Sequence, residues 1–495
     1  MSSVVPSDIW RYIAGFIPTN ILITLYSVNS TFLEIATEAQ YHAINFNAYK
    51  TAKPLIKHVR GSQVVHTLRV QPWMVQAKQP KPSPWSLSTW KSIYACVSPT
   101  YAETEADAQL QKQIRKQIQR VAEAIKGFPN LHTYHIDWDE GPFLHEFYSS
   151  LLCSVVPAVG RRICVLTLKV PLHHMSSLPG LAKHLPNLES LALTLHTGAY
   201  DPHYISQQFE GLVVFVNVVL CGLRSLSIHT TPTSTHLDLG RFFTLLGRGR
   251  RLRSFTLCIP FDGGHLEAPA PFRRFLSKHR STIESLTLGT TRAAARPAPG
   301  AEEAKFWIRE SLKDHPPFPA LSHLALGLRP LRTDLGPLLR CLNGVRTQLR
   351  TLRLAERPLE YTELAVVLAA LADAPLLQSL SLRIRWLSPE LVDLLAAAHL
   401  PALRSLELNF AEVVHQEPKD DSSSVSDESY CLSRASELMF FCHALNGRKY
   451  PHWSLTRLAV PESPRGQIKW LDDMERAFIG CVPALTSFGE VLSPA

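Results

Sequence analysis

Residues 348–354 read QLRTLRL, residues 376–382 read LLQSLSL and residues 402–408 read ALRSLEL. In each, apolar side chains stand at the first, fourth and sixth places of one phrase, LxxLxL: Leu349, Leu352 and Leu354; Leu377, Leu380 and Leu382; Leu403, Leu406 and Leu408. Side chains two apart share one face of an extended strand, so the last two leucines of each phrase point one way and the residue between them the other. The phrase returns after 28 and then 26 residues. A strand of that length cannot shield its own apolar face, and regular recurrence implies that each copy stacks on the next.

The pattern extends in both directions. Towards the N-terminus it begins at Leu131, Ile163, Leu188, Leu223, Leu252, Ile283 and Leu321, with a degenerate copy at Val65, Leu68 and Val70. Towards the C-terminus it returns at Leu455, Leu458 and Val460 and ends in a truncated form at Leu485 and Phe488. Segments between phrases read as helices, including 103–126, 334–342, 361–371 and 389–398. In the last of these, Pro389 after Ser388 is a favourable start. The steps vary, and the Asn or Cys that often follows the strand is missing. The array resembles leucine-rich repeats of the long, helix-containing kind. That resemblance implies an α/β solenoid with parallel strands on a concave face and helices on a convex one.

Composition agrees with a folded chain. It has 495 residues, 45% hydrophobic and 19% charged, which excludes a mostly disordered protein. There is no basic leader with a cleavage site, and the longest apolar run, 212–220, is too short to cross a bilayer. The expectation is a cytoplasmic or nuclear protein with no membrane partner. Nine cysteines, scattered and never spaced CxxC, read as buried free thiols. No metal site and no cofactor is expected. Net charge is +9, with local clusters at Arg241, Arg248, Arg250, Arg251 and Arg253 and at Arg273, Arg274, Lys278 and Arg280. Without interleaved aromatic residues or a nucleic-acid motif these read as a solvated face, and nucleic acid is not an expected partner.

The first 46 residues read as three short helices. Asp8 after Pro6 opens the first, with Ile9, Ile13 and Phe16 at helical spacing; Pro18 closes it. Thr19 or Asn20 caps a second, with apolar Ile21, Leu22, Leu25 and Val28, and Ser30 caps a third carrying Phe32, Ile35, Ala36 and Ala39. The run VPSDIWRYIAGFIPTNILITLYSVNSTFLEIATEAQYHAINF resembles an F-box of the fungal kind. The matching residues are Pro6, Asp8, Ile9, Trp10, Phe16, Pro18, Leu22, Leu25, Val28, Asn29, Phe32 and Ala36. Val5 stands where Leu is usual, and Asn20 at a place often acidic. The resemblance implies docking onto the Skp adaptor of a cullin ubiquitin ligase through Pro6, Ile9, Trp10, Ile13, Pro18, Leu22, Leu25 and Val28. The alternative is a helical cap that shields the first repeat.

The predicted organisation is an F-box-like unit over 1–48, a connecting segment over 49–130 and a repeat solenoid over 131–495. An acidic, serine-rich insert over 411–430 interrupts it. Its serines among acids suit phosphorylation or mark a tolerated surface insertion. The residue before the second apolar place of each phrase is mostly Ser or Thr, which suits close lateral packing of strands. Arg353, Arg383, Arg385, Trp386 and Arg457 form a basic, partly aromatic group that suits an acidic target segment, or that simply solvates the face. No nucleotide loop, nucleophile elbow or metalloprotease motif is present. The predicted function is therefore non-catalytic: a substrate receptor joining an adaptor and cullin ligase to a protein target the sequence does not name. The alternatives are a repeat scaffold without a ligase role and, from another class, a regulator of nucleotide hydrolysis or a nucleic-acid binder acting through the arginine clusters.

Overall fold

The computed structural model describes residues 5–47, 63–71, 99–138, 149–197, 202–234, 236–266, 268–293, 306–313, 318–331, 334–372, 374–414, 427–460 and 468–490. The chain folds into two compact units, Met1–Leu223 and Arg224–Ala495.

Every phrase forms a strand. The first unit carries β1 (Ala43–Phe46), β2 (Thr67–Val70), β3 (Thr133–Asp137), β4 (Val165–Pro171) and β5 (Ser190–His196). Each pairs in parallel with its neighbour in chain order. The second carries β6 (Ser225–Thr230), β7 (Ser254–Pro260), β8 (Ser285–Thr291), β9 (His323–Gly327), β10 (Thr351–Leu359), β11 (Ser379–Leu387), β12 (Ser405–Val413), β13 (Arg457–Val460) and β14 (Ser487–Glu490). These also run parallel, in sequence order. This is the strand-by-strand stack expected of leucine-rich repeats.

Register makes the stack a core. Leu226, Phe255, Leu286, Leu324, Leu352, Leu380, Leu406 and Leu458 lie side by side across β6–β13. All are at most 1% exposed. In the first unit Leu68, Tyr134, Leu166 and Leu191 do the same. Phe488, on the last described strand, stays half-buried; it has a neighbour on one side only.

The backbone repeats with the side chains. The carbonyl just before each strand accepts from two successive N–H groups of the next: Arg350 and Thr351 on Ser322, Gln378 and Ser379 on Arg350, Arg404 and Ser405 on Gln378. Paired strands leave few polar groups unmatched. The residue between the two inward leucines faces away, and the residues that precede them form a half-buried row of Ser225, Ser254, Ser285, Thr351, Ser379 and Ser405, broken by the exposed His323. Small side chains suit that lateral spacing.

Helices cover the other side of the leucines. One runs Pro99–Lys126, with Ile114, Ile118, Val121 and Ile125 buried at helical spacing. Others are Gly336–Val345, Tyr361–Ala370 and Pro389–Ala397. Ser388 caps the last, its hydroxyl accepting from the Leu391 N–H at 3.3 Å.

The structure corrects several expectations. Residues 43–46, assigned to the helical head, are β1, with Phe46 fully buried. The second helix is only Thr19–Leu22 followed by a tight turn, Ile23–Leu25. Asn29 rather than Ser30 caps the third, its side chain accepting from the Phe32 N–H at 2.8 Å. In the stretch read as the insert 411–430, β12 persists to Val413 and a helix runs Asp427–Asn446; Ser422, Ser423, Ser424 and Ser426 lie outside the described residues. Of the free cysteines described, Cys481 alone is fully buried and Cys221 is exposed. No described helix is long and apolar enough to cross a membrane.

Candidate functional site

Two surfaces, one in each unit, carry the residues singled out above. In the first unit, α1 (Ser7–Ala14), α2 (Thr19–Leu22) and α3 (Ser30–Tyr41) close on a small core of Ala14, Leu22 and Phe32. Trp10, Ile17, Leu25, Ile35 and Ala39 pack around it. Trp10 meets Phe32 edge-on at 5.5 Å, a favourable aromatic geometry. Forty residues bury little, however, and much apolar surface is left outside. Ile9 is 51% exposed, Phe16 73% and Val28 54%. Tyr12 and Phe16 stand edge to face at 5.0 Å, both in solvent. Half of the large apolar side chains exposed among the described residues fall between Val5 and Leu33; a concentration of that kind marks an interaction surface.

The expected adaptor-contact residues separate by depth. Pro6, Ile9, Ile13, Pro18 and Val28 are exposed; Trp10 and Leu25 are half-buried; Leu22 belongs to the core. Leu22 thus supports the surface from beneath. Tyr12, Ile21, Tyr26 and Leu33 join it from outside, and periodicity alone gives no sign of this because it assigns apolar positions inward.

The head is also stitched to the stack. The His42 carbonyl, just after α3, accepts from the N–H groups of His66 and Thr67, as the His66 carbonyl accepts from His132 and Thr133. The three imidazoles follow the same ladder, His42 over His66 at 4.8 Å and His66 over His132 at 5.4 Å. Burial lowers the His66 pKa, and the His42 and His132 charges lower it further against an opposing pull from Glu38. On the same sheet Asp137 is paired with Arg69 and with Lys169 at 3.2 Å. Burial acts to raise its pKa, but hydrogen bonds from Arg69 and Gln71 and the Lys169 charge outweigh it and hold the carboxyl low.

In the second unit the face opposite the buried leucines is basic. Arg353 on β10 is exposed and stands opposite Ser381, while Arg383 on β11 stands opposite Asn409. Two residues along and one strand across, they are about 8 Å apart at the backbone. The Arg383 guanidinium donates to the Glu356 carbonyl at 3.2 Å. Arg385 pairs with Glu360 at 3.4 Å and lies 5.0 Å from the Trp386 ring centre. Arg457, on β13 opposite Ser405, sits three strands from Arg353 and outside this group. In the other arginine cluster, Arg253 pairs with Glu284 at 3.3 Å and Lys278 donates to the Leu246 carbonyl at 3.2 Å.

Beside the basic face lies a residue that sequence reasoning missed. β10 slips register against β11 between Leu354 and Leu359, and in that bulge Glu356 adopts a left-handed backbone, φ 76°. Its carboxylate accepts from both the N–H and the hydroxyl of Thr290 on β8, two strands away. It crosses Gly327 of β9, where any Cβ would collide with it. Burial raises the Glu356 pKa against the Thr290 hydrogen bonds and the Arg329 and Arg383 charges. The sequence signals were the glycines 289 and 327 at matching strand places and the break in alternation over 354–359. No group of metal-ligating side chains occurs among the described residues.

No family model matches the chain, and no curated protein matches it. Among solved structures, the TLR13–ssRNA13 complex aligns at 12% identity and a TM-score of 0.29, over 88% of this chain and 45% of that one. The chain therefore spans less than half of that neighbour's length, and the fold assignment rests on this chain's own strand order and register.

Proposed function

We propose that the chain is a non-catalytic receptor of a cullin ubiquitin ligase. The helical head docks a Skp adaptor, and the basic open face of the second unit holds an acidic segment of a protein target. The observation that carries this is the head itself: a closed core beneath an apolar surface that nothing described in the chain covers. The F-box-like motif assigns that surface to the adaptor, and Ile9, Ile13 and Val28 lie on it. Activity follows from proximity, because tethering raises the effective concentration of target lysines near the ligase's charged ubiquitin and no residue here makes or breaks a bond. Arg353, Arg383 and Arg385 offer charge-assisted hydrogen bonds to the target.

The test is co-purification of the full chain with a Skp adaptor. Capture is expected for the native chain and for Val366→Ala, an exposed apolar side chain of the second unit, and loss for Ile9→Asp with Val28→Asp at unchanged folding. Failure of the native chain to capture any Skp adaptor rejects the reading. The carbonyl of His42 bonding into the repeat ladder supports a second reading, a scaffold whose head is only a cap. That reading predicts no capture, with lowered stability of β2 and β3 when residues 1–41 are removed.

A further inference from the structure

Strands β8 and β9 run in register from Ser285 opposite His323 to Leu288 opposite Leu326, and their pairing stops there. Beyond that point Thr290 on β8 pairs with Ile259 on its other side, while β9 turns its bonding to β10, the Leu328 N–H donating to the Ala355 carbonyl at 3.0 Å. The Thr290 N–H that would have met β9 points into the gap. Gly327 leaves the gap open, since a side chain there would fill it. The Thr290 hydroxyl is aimed into the same space, and the Arg329 and Arg383 charges act on whatever anion occupies it. Arg329 is steadied against the Phe261 ring at 5.7 Å. A backbone donor, a hydroxyl and two guanidinium charges around a space walled by glycine make a carboxylate cradle.

The chain fills this cradle with its own Glu356, at two costs. The residue takes a left-handed conformation that side chains other than Gly and Asn rarely adopt, and its carboxylate gives up water. A strut between strands needs neither. An internal stand-in for a ligand has both.

We propose that the gap between β8 and β9 is a binding site for an aspartate or glutamate side chain of an acidic peptide, with Glu356 as its built-in competitor. This rests on the reading that the open face of the second unit holds the target. When an acidic residue enters, it takes over the Thr290 N–H and hydroxyl, and Glu356 swings out towards Arg383 and Arg385 and relaxes its backbone. The site gives specificity within an otherwise diffuse basic face, because a single carboxylate accepts from the Thr290 N–H and hydroxyl together.

The experiment uses the full chain and a fluorescein-labelled octaglutamate peptide, read by fluorescence anisotropy at low ionic strength. Glu356→Gly is the informative variant, for glycine accepts φ 76° without strain and empties the cradle without disturbing the strand. Wild type is expected to bind weakly and Glu356→Gly about tenfold more tightly. Adding Thr290→Val to Glu356→Gly is expected to remove that gain. No tightening in Glu356→Gly overturns the proposal, and so does tightening that survives Thr290→Val. Arg353→Ala separates this from the broader reading: wild-type binding that depends on Arg353 but not on Glu356 keeps the basic face and rejects the cradle. Tightening that ignores Arg353 does the reverse.

Discussion

Leucines and their relatives do opposite things in the head and in the repeat stack. In the stack each inward side chain has an equivalent on the strand before and the strand after, so Leu352, Leu380 and Leu406 vanish from solvent together. In the head there are three short helices and no equivalent neighbours; Ala14, Leu22 and Phe32 close a core while Ile9, Phe16 and Val28 stay outside. Apolar residues in a repeat report the fold. In a small unit that cannot bury them all, the surplus reports a partner.

The largest effect that tests this contrast lies in the ladder. Leu380→Ala removes a fully buried side chain whose flanking leucines are fixed by the register and cannot collapse inward, so a loss of about 3 kcal/mol is expected. Urea unfolding should show a lower midpoint with an early phase confined to the second unit, as nearest-neighbour coupling requires. A cost below about 1 kcal/mol would mean that the ladder is not where stability resides.

Next comes the cap of the third head helix. Asn29 accepts the Phe32 N–H at 2.8 Å, and Asn29→Ala should cost about 1 kcal/mol. Because Phe32 is a core residue of the head, hydrogen exchange should accelerate at its amide and along α3 while strand amides of the stack stay protected. Equal acceleration in β3 would show that head and stack melt as one.

These two positions also show how far the fold could be read in advance. The strand at Leu380 is legible because LxxLxL states both the period and the buried face. The cap at Asn29 slips by one residue because Asn and Ser are both good caps and stand side by side. β1 has no phrase of its own; its four residues become a strand only because β2 lies alongside. Glu356 is the deepest miss. Its role depends on a register slip and on a partner 66 residues earlier, neither of which any local pattern encodes.

A smaller effect lies at the seam between the two regions, where His66 stacks on His42 and His132. Burial, then the neighbouring histidine charges, lower its folded pKa. A base lowered on folding binds fewer protons than in the unfolded chain, so stability is full above the ordinary histidine value and falls as pH drops through it. Asp137 adds a loss at more acidic pH: held low when folded, it stabilises above the ordinary carboxylate range and less as pH falls through it. Mild acid should therefore raise exchange of the His66 and Thr67 amides before the Asp137 pairs are lost, and His66→Gln should remove the first step alone. His66 is half-buried between the exposed His42 and His132, so solvent screening keeps the change modest.

The smallest expected change in stability is the sharpest test of the comparison. Phe16 is 73% exposed and touches the Tyr12 ring at 5.0 Å; Phe16→Ser removes an aromatic pair that solvent already surrounds on most sides. Its effect on unfolding should fall within about 0.5 kcal/mol, the usual range for surface substitutions. Large aromatic side chains are also the ones that dominate protein interfaces once desolvated. If the head's surplus apolar surface exists for a partner, the same substitution should weaken adaptor capture at least tenfold, measured as the dissociation rate from an immobilised Skp adaptor. A variant that unfolds more easily and captures as well as wild type would reverse the assignment, making Phe16 part of the head's own stability and leaving its exposed face without a purpose in binding.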